Sequence, residues 1–182
     1  MTVTGLWAFA VYSVYTYLGT GLRAQGFTTS TIAAALILYG IGAVVGSIGS
    51  GHLIDRYGAS RIVLLSFVLL AASLLVLDQV WLESPLLVLF MLGLFALTAY
   101  PCLAAFQSRL VTTFPRHTGS VFAWNSCFMY LGTSLGAGMG GVLLSTRGFQ
   151  LIPLVAAGIS LVAALYYRYW AFSHTQHPEN IR

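Results

Sequence analysis

Gly51-His52-Leu53-Ile54-Asp55-Arg56-Tyr57-Gly58-Ala59-Ser60-Arg61 is the stretch whose reading decides the fold. It gathers three charged side chains in a protein that has only eight basic and four acidic ones. Long apolar runs flank it on both sides. A charge at the centre of a membrane helix costs roughly 2.5–3.5 kcal/mol on insertion scales, so no span can continue through Asp55, Arg56 and Arg61. The chain must surface here, as a short charged hinge between two membrane helices. Gly51 and Gly58 bracket the charges, and both are expected to ease a tight turn.

The composition agrees. Charged residues are 7% and hydrophobic ones 58% of the chain, against about 25% charged in a soluble domain. The expected class is an all-α membrane protein, a bundle of six transmembrane helices. Charge-free stretches over 1–22, 24–54, 62–77, 84–108, 118–146 and 148–167 mark its spans. A span needs about 20 residues, which places them near 4–22, 30–51, 62–81, 85–107, 119–145 and 149–170. The third reaches that length only by continuing past Asp78, held near the headgroups, to Trp81 as an interfacial anchor. The whole of 1–182 then reads as one membrane domain. Residues 1–22 lack a basic leader and an Ala-x-Ala-like site, so they read as a retained first helix.

With six spans, Arg56, Arg61, Arg109, Arg116, Arg168 and Arg182 share one side with both termini, against Arg23 and Arg147 on the other. The positive-inside rule makes that first side cytoplasmic, in a plasma (bacterial inner) membrane. His52, His117, His174 and His177 fall there too, as solvated loop and tail residues. The scattered arginines form no nucleic-acid patch. Cys102 and Cys127 sit in apolar runs as small packing residues, without metal or disulfide spacing. No nucleotide loop, metal cluster or nucleophile–base pair is present. Neither an enzyme nor a cofactor is expected.

Three helices carry more than hydrophobicity. In the first, Tyr12, Tyr15 and Thr16 lie at i, i+3 and i+4 and share a face. Polarity on that scale should look into the bundle or a wet cavity. The second carries two small-xxx-small ladders, Gly42/Gly46/Ser50 and Ala43/Ser47/Gly51, which let helix backbones approach. The third is a plain Leu/Val/Ala helix, expected to face lipid. Pro101 should kink the fourth. The fifth has Gly132, Gly136 and Gly140 at i+4 spacing, with Gly141 beside them, as a groove for another helix. Its Asn125 costs several kcal/mol in hydrocarbon unless paired or wet. Tyr12, Tyr15, Thr16, Tyr100, Trp124 and Asn125 are therefore the candidate cavity face. The sixth helix ends in an aromatic and basic anchor, Tyr166 to Trp170, and residues 172–182 read as a polar tail.

Gly51, Asp55, Arg56, Gly58 and Arg61 resemble the motif A loop of the major facilitator superfamily, with Ser60 in place of the first of two basic residues usual there. Gly132, Gly136, Gly140 and Gly141 resemble its motif C, with Ala137 where the family has proline. The motifs stand in superfamily order. The resemblance implies one six-helix half of a twelve-helix transporter, working by alternating access on a small solute. The fourth helix lacks the buried arginine of first halves, which favours the C-terminal half of an efflux-type member for drugs, sugars or nucleosides. No Asp, Glu, Lys, Arg or His lies well inside a span, so any proton coupling must come from elsewhere. By the same resemblance Asp55 holds a cytoplasmic gate. The implied partners are the lipid bilayer, a small-molecule substrate and a second six-helix half, either a separate chain or another copy of this one. A non-transporting scaffold subunit or a truncated transporter fragment would carry the same ladders. A polar lining shared by the first, fourth and fifth helices separates a transporter from these.

Overall fold

The computed structural model describes residues 1–81 and 84–175, with side chains as far as 171 at the C-terminal end. Its elements are helices α1 (Thr2–Tyr15), α2 (Leu18–Ala24), α3 (Thr29–Tyr57), α4 (Ala59–Val80), α5 (Pro85–Thr113), α6 (Thr118–Arg147) and α7 (Leu151–Thr175). Five of them, α3 to α7, are long and apolar enough to cross a membrane. The expected first span is instead two helices, of 14 and 7 residues. At the break Tyr17 N–H reaches back only three residues, to Val14, and helical bonding resumes with Gly21 donating to the Tyr17 carbonyl. Fourteen residues rise about 21 Å, short of the ~30 Å hydrocarbon layer.

The charged stretch is resolved differently from the expectation. α3 runs straight through Gly51, Asp55 and Arg56 to Tyr57, and α4 begins at Ala59. The hinge is a single residue, Gly58, at φ 83°, where a side chain would be strained. Gly51 is an ordinary helical residue. Asp55, Arg56 and Arg61 are exposed on the last turn of α3 and the first of α4. Two uninterrupted helix ends thus do what a loop was expected to do. Gly148, at φ 79°, makes the same one-residue cap between α6 and the turn into α7.

Lipid tails are as apolar as leucine, so burying apolar surface does not drive helices together here; close van der Waals approach does. The pairings follow the small residues. α3 lies along α5, and α6 along α1. A Cβ on Gly42 would overlap the Gly93 carbonyl, and one on Gly46 would sit 2.7 Å from the Leu97 oxygen. That Leu97 carbonyl is the one Pro101 cannot bond, lacking an N–H. On α6, a Cβ at Gly132 would overlap Gly5, one at Gly136 would press on Phe9, and one at Gly140 would lie 2.8 Å from the Ser13 oxygen. The two pairs repeat one design, with α4 against α5 and α7 against α1 completing each unit.

Several expectations give way. α4 is not a lipid-facing helix: Ile62, Val63, Phe67, Leu70, Leu74 and Leu77 are buried, because α4 is wedged between α5 and α7. The peripheral helices are α3 and α6, which bury one line each, mostly small residues with Tyr39 on α3 and Val121 and Asn125 on α6. Trp81 is no interfacial anchor. It is buried and stacked on Phe149 with centroids 4.2 Å apart, and Gly21 leaves room for that ring. Cys102 is buried, but Cys127 is exposed. α7 continues to Thr175, past the expected start of the tail. The readings of Glu83, His177 and Arg182, and of the His174 side chain, concern positions outside those described.

Candidate substrate-facing site

α1 brings Tyr12 and Tyr15 onto one face, as their spacing requires, and α5 brings Tyr100 opposite. Between them stands Trp7, five residues before Tyr12 and almost fully buried. Its indole N–H donates to the Ala99 carbonyl at 2.8 Å, tying α1 to α5. Trp7 meets Tyr12 and Tyr100 edge-on, at 6.4 and 5.7 Å with ring planes near perpendicular. That is the arrangement the ring quadrupole prefers. Tyr12 meets Tyr15 at 6.1 Å, and Tyr15 lies 4.8 Å from Tyr39 of α3. Tyr39 donates its hydroxyl to Tyr100 at 3.4 Å and rests on Phe95. The result is a bowl with Trp7 and Tyr39 as its floor and Tyr12, Tyr15 and Tyr100 as a partly exposed rim.

The structure does not bring all six predicted residues to it. Trp124 is 63% exposed and makes no ring contact with the described residues. It lies beside Ser120, Ala123 and Cys127 on the outside of α6. Asn125, next in sequence and so about 100° around the helix, points inward instead. Its Oδ1 accepts the Thr4 hydroxyl at 2.7 Å, with both residues buried. Of the two ways to offset the amide's cost the fold uses pairing, so Asn125 clamps α6 to α1 and lines no cavity. Thr16 is exposed at the helix break.

The clamp has a measurable value. Thr4→Val removes the donor at constant shape and strands the amide, which should cost about 1 kcal/mol in urea unfolding from detergent. Thr4→Val combined with Asn125→Leu removes both polar groups and should recover most of the loss. A double variant no better than Thr4→Val alone would rule the pairing out.

Sequence reasoning missed Trp7, Tyr39 and Tyr17. The first two are solitary aromatics in apolar runs, and only the α1–α5 and α3–α5 pairings bring them together. Tyr17 sits at the helix break. Its hydroxyl donates to the Ala137 carbonyl at 2.8 Å, and its ring fills the notch left by Gly140 and Gly141. The glycine groove of α6 is therefore occupied by α1 and Tyr17 of the same chain, not left for a partner helix.

At the other end of α5, Arg109 is half-buried. It donates to Ser60 Oγ at 2.6 Å and to the Tyr167 hydroxyl, and it lies 5.0 Å from the centre of the Trp170 ring. Ser60, where a basic residue was expected, thus accepts from a basic residue of another helix. Tyr167 is wholly buried and no part of an interfacial belt. Asp55 makes no hydrogen bond or ion pair with the described residues.

The sequence as a whole matches one family model, described as Major Facilitator Superfamily, over residues 1–181. The chain belongs to the Major Facilitator Superfamily. Its relatives there include an uncharacterized MFS-type transporter, YbcL, of Bacillus subtilis (27% identical, covering 91% of this chain and 43% of the relative). A second from the same organism, YwfA, is 28% identical over 89% of this chain and 39% of its own length. The multidrug resistance protein MdtG of Escherichia coli is 28% identical over 70% of this chain and 31% of its own. The chain spans less than half the length of these relatives. Membership makes it an integral membrane protein of a transporter family.

Proposed function

We propose that this chain is one six-helix half of a secondary transporter that moves a small solute by alternating access, of efflux type, in a bacterial inner membrane. The observation that carries it is the tyrosine bowl. Polar aromatic side chains of the first, second and fourth spans (α1, α3 and α5) converge, without the expected contribution of the fifth, where no structural pairing demands them all. A scaffold has no use for such a lining. α1 and α2 together make the first of the six spans, and the arginine split puts both termini in the cytoplasm. A reporter after Gln79 reading the same side as the chain's end would refute the six-span topology. The relatives supply two further supports: they are more than twice as long, and one carries a multidrug-resistance name.

The other half docks on this one, as a separate chain or as a second copy. α3 and α6 offer the faces for it, with Ile37, Val44 and Ile48 on one helix and Leu131, Leu135 and Val142 on the other all exposed. Asp55 is exposed and unbonded among the described residues, which suits a gate whose donors belong to the other half. Cross-linking in native membranes, then reconstitution of the captured assembly in liposomes, tests the reading. Asp55→Asn should lower solute flux by about tenfold or more while membrane insertion is unchanged, since a charge-assisted hydrogen bond at the gate becomes a neutral one. Full flux from the monomeric chain, or from the Asp55→Asn assembly, would refute the half-transporter or the gate respectively.

A further inference from the structure

We propose that the cavity beside the end of α5 is a site for the phosphate of an anionic phospholipid, bonded by the free edge of Arg109. Such a site does not depend on what the chain moves. The cavity lies between the start of α1, the last turns of α5 and the end of α7, and holds about 190 Å³. Val3, Phe106, Leu110 and Trp170 wall it, with the exposed rings of Phe114 and Tyr166. Arg109 is the one charged side chain among the described residues that line it. Both bonds that Arg109 makes, to Ser60 and to Tyr167, leave the same nitrogen, Nη1, and use up its hydrogens. The other edge, Nη2 with Nε, has no partner among the described residues, and neither nitrogen is buried. A guanidinium edge of that kind bonds a phosphate or a carboxylate bidentately.

The charge itself calls for an anion. No carboxylate pairs with Arg109 among the described residues, and a half-buried charge against apolar walls is costly without a counter-ion. Ser60, Tyr167 and the Trp170 ring hold the guanidinium in place, so its open edge is set before a ligand arrives. The walls then decide which anion fits. Free phosphate would exchange its water for mostly apolar surface, and only one edge of the arginine would replace the lost hydrogen bonds. A phospholipid brings glycerol ester and acyl groups that suit Phe106, Leu110 and Val3. The position agrees, because Arg109 stands one turn before the end of a membrane helix at Thr113, where headgroups lie. Basic pockets between membrane helices take acidic headgroups at that depth. No Asp or Glu among the described lining residues could receive the ammonium of a zwitterionic lipid. That favours phosphatidylglycerol over phosphatidylcholine.

The test titrates the full chain, in a neutral maltoside detergent, with dioctanoyl phosphatidylglycerol or dioctanoyl phosphatidylcholine. Bound lipid is counted by native mass spectrometry, with inorganic phosphate as competitor. Phosphatidylglycerol should bind about tenfold more tightly, the worth of a charge-assisted hydrogen bond. Arg109→Lys should remove most of that preference, since an ammonium has no bidentate edge. Tyr167→Phe leaves the free edge untouched and should keep it, as should Arg116→Gln on the exposed turn beyond α5. Thr113→Phe narrows the cavity while leaving the arginine in place. It should weaken phosphatidylglycerol binding at an unchanged melting temperature, and it decides the matter if Arg109→Lys does not fold. Equal affinity for the two lipids would overturn the site, as would full binding by Thr113→Phe. A preference abolished by Arg116→Gln would mean diffuse attraction to surface charge and would overturn it too. Displacement by an equal concentration of inorganic phosphate would make this a free-anion site, and the lipid assignment would fall. It would fall equally if the preference emerged only in Glu179→Gln, because the chain's own tail would then hold the edge.

Discussion

Gly132→Ala is expected to destabilise the bundle by on the order of 3 kcal/mol, from one added methyl group. The reason is what that methyl meets. A Cβ at Gly132 would overlap the carbonyl oxygen, carbonyl carbon and Cα of Gly5, all backbone atoms of a helix that cannot rotate out of the way. Either α1 and α6 separate along their whole contact, losing the approach at Gly136 and Gly140 and straining the Thr4–Asn125 bond, or the chain does not fold. Gly138→Ala is the control. Nothing lies within 4 Å of its Cβ, so the same substitution there should be neutral or should stabilise by a few tenths of a kcal/mol through helix propensity. Thermal unfolding in detergent, followed by size-exclusion chromatography, separates the two. Equal melting temperatures would show that α6 tolerates displacement from α1 and that the glycine ladder is not the contact that sets their spacing.

Arg109→Ala should rank second, at about 3 kcal/mol. Hydrogen bonds to a charged group are worth roughly 1.5–3 kcal/mol, and an abandoned buried partner adds its own cost. Arg109 makes two such bonds, to Ser60 at the start of α4 and to Tyr167 of α7. Loss of the guanidinium leaves the wholly buried Tyr167 hydroxyl without its donor. Arg109→Lys should recover only part, because a compact ammonium lacks the planar guanidinium that lies over the Trp170 ring while bonding Ser60 and Tyr167. Combining Arg109→Ala with Tyr167→Phe should be milder than the sum of the two single changes. Strict additivity would mean that the hydroxyl is satisfied without the arginine and that the three-helix tie has little energetic weight.

Both effects lie where a local signal met a distant partner. The i+4 glycines of α6 were plain in the sequence, but not that their groove is filled by α1 and Tyr17 of the same chain. Asn125 illustrates the same limit: an amide in hydrocarbon must be paired or wet, and only the position of Thr4, on another helix, decides for pairing. Trp124 and Asn125 are adjacent in sequence, so no single face of α6 could hold both. Tyr12, Tyr15 and Tyr100 were legible as polarity out of place, whereas Trp7 and Tyr39 were hidden among apolar residues and acquire a role only from their neighbours. The break after Tyr15 has no proline or charge to announce it. Its signature is Tyr17 reaching across to Ala137, which no window of local sequence contains.

What the sequence by itself determined is the set of quantities that depend on position along one dimension. Apolar length measured against bilayer thickness marked the long membrane helices α3 to α7. The charges from Asp55 to Arg61 located a membrane exit, and the order of the two motifs pointed to the family. Only the tertiary structure decided which helices are central, which ladder meets which backbone, and which polar groups stay partly exposed instead of bonding one another. The physical reason is that lipid gives helices no hydrophobic incentive to choose between partners. The choice falls to atomic fit between surfaces far apart in the chain, and there a single missing Cβ selects the neighbour.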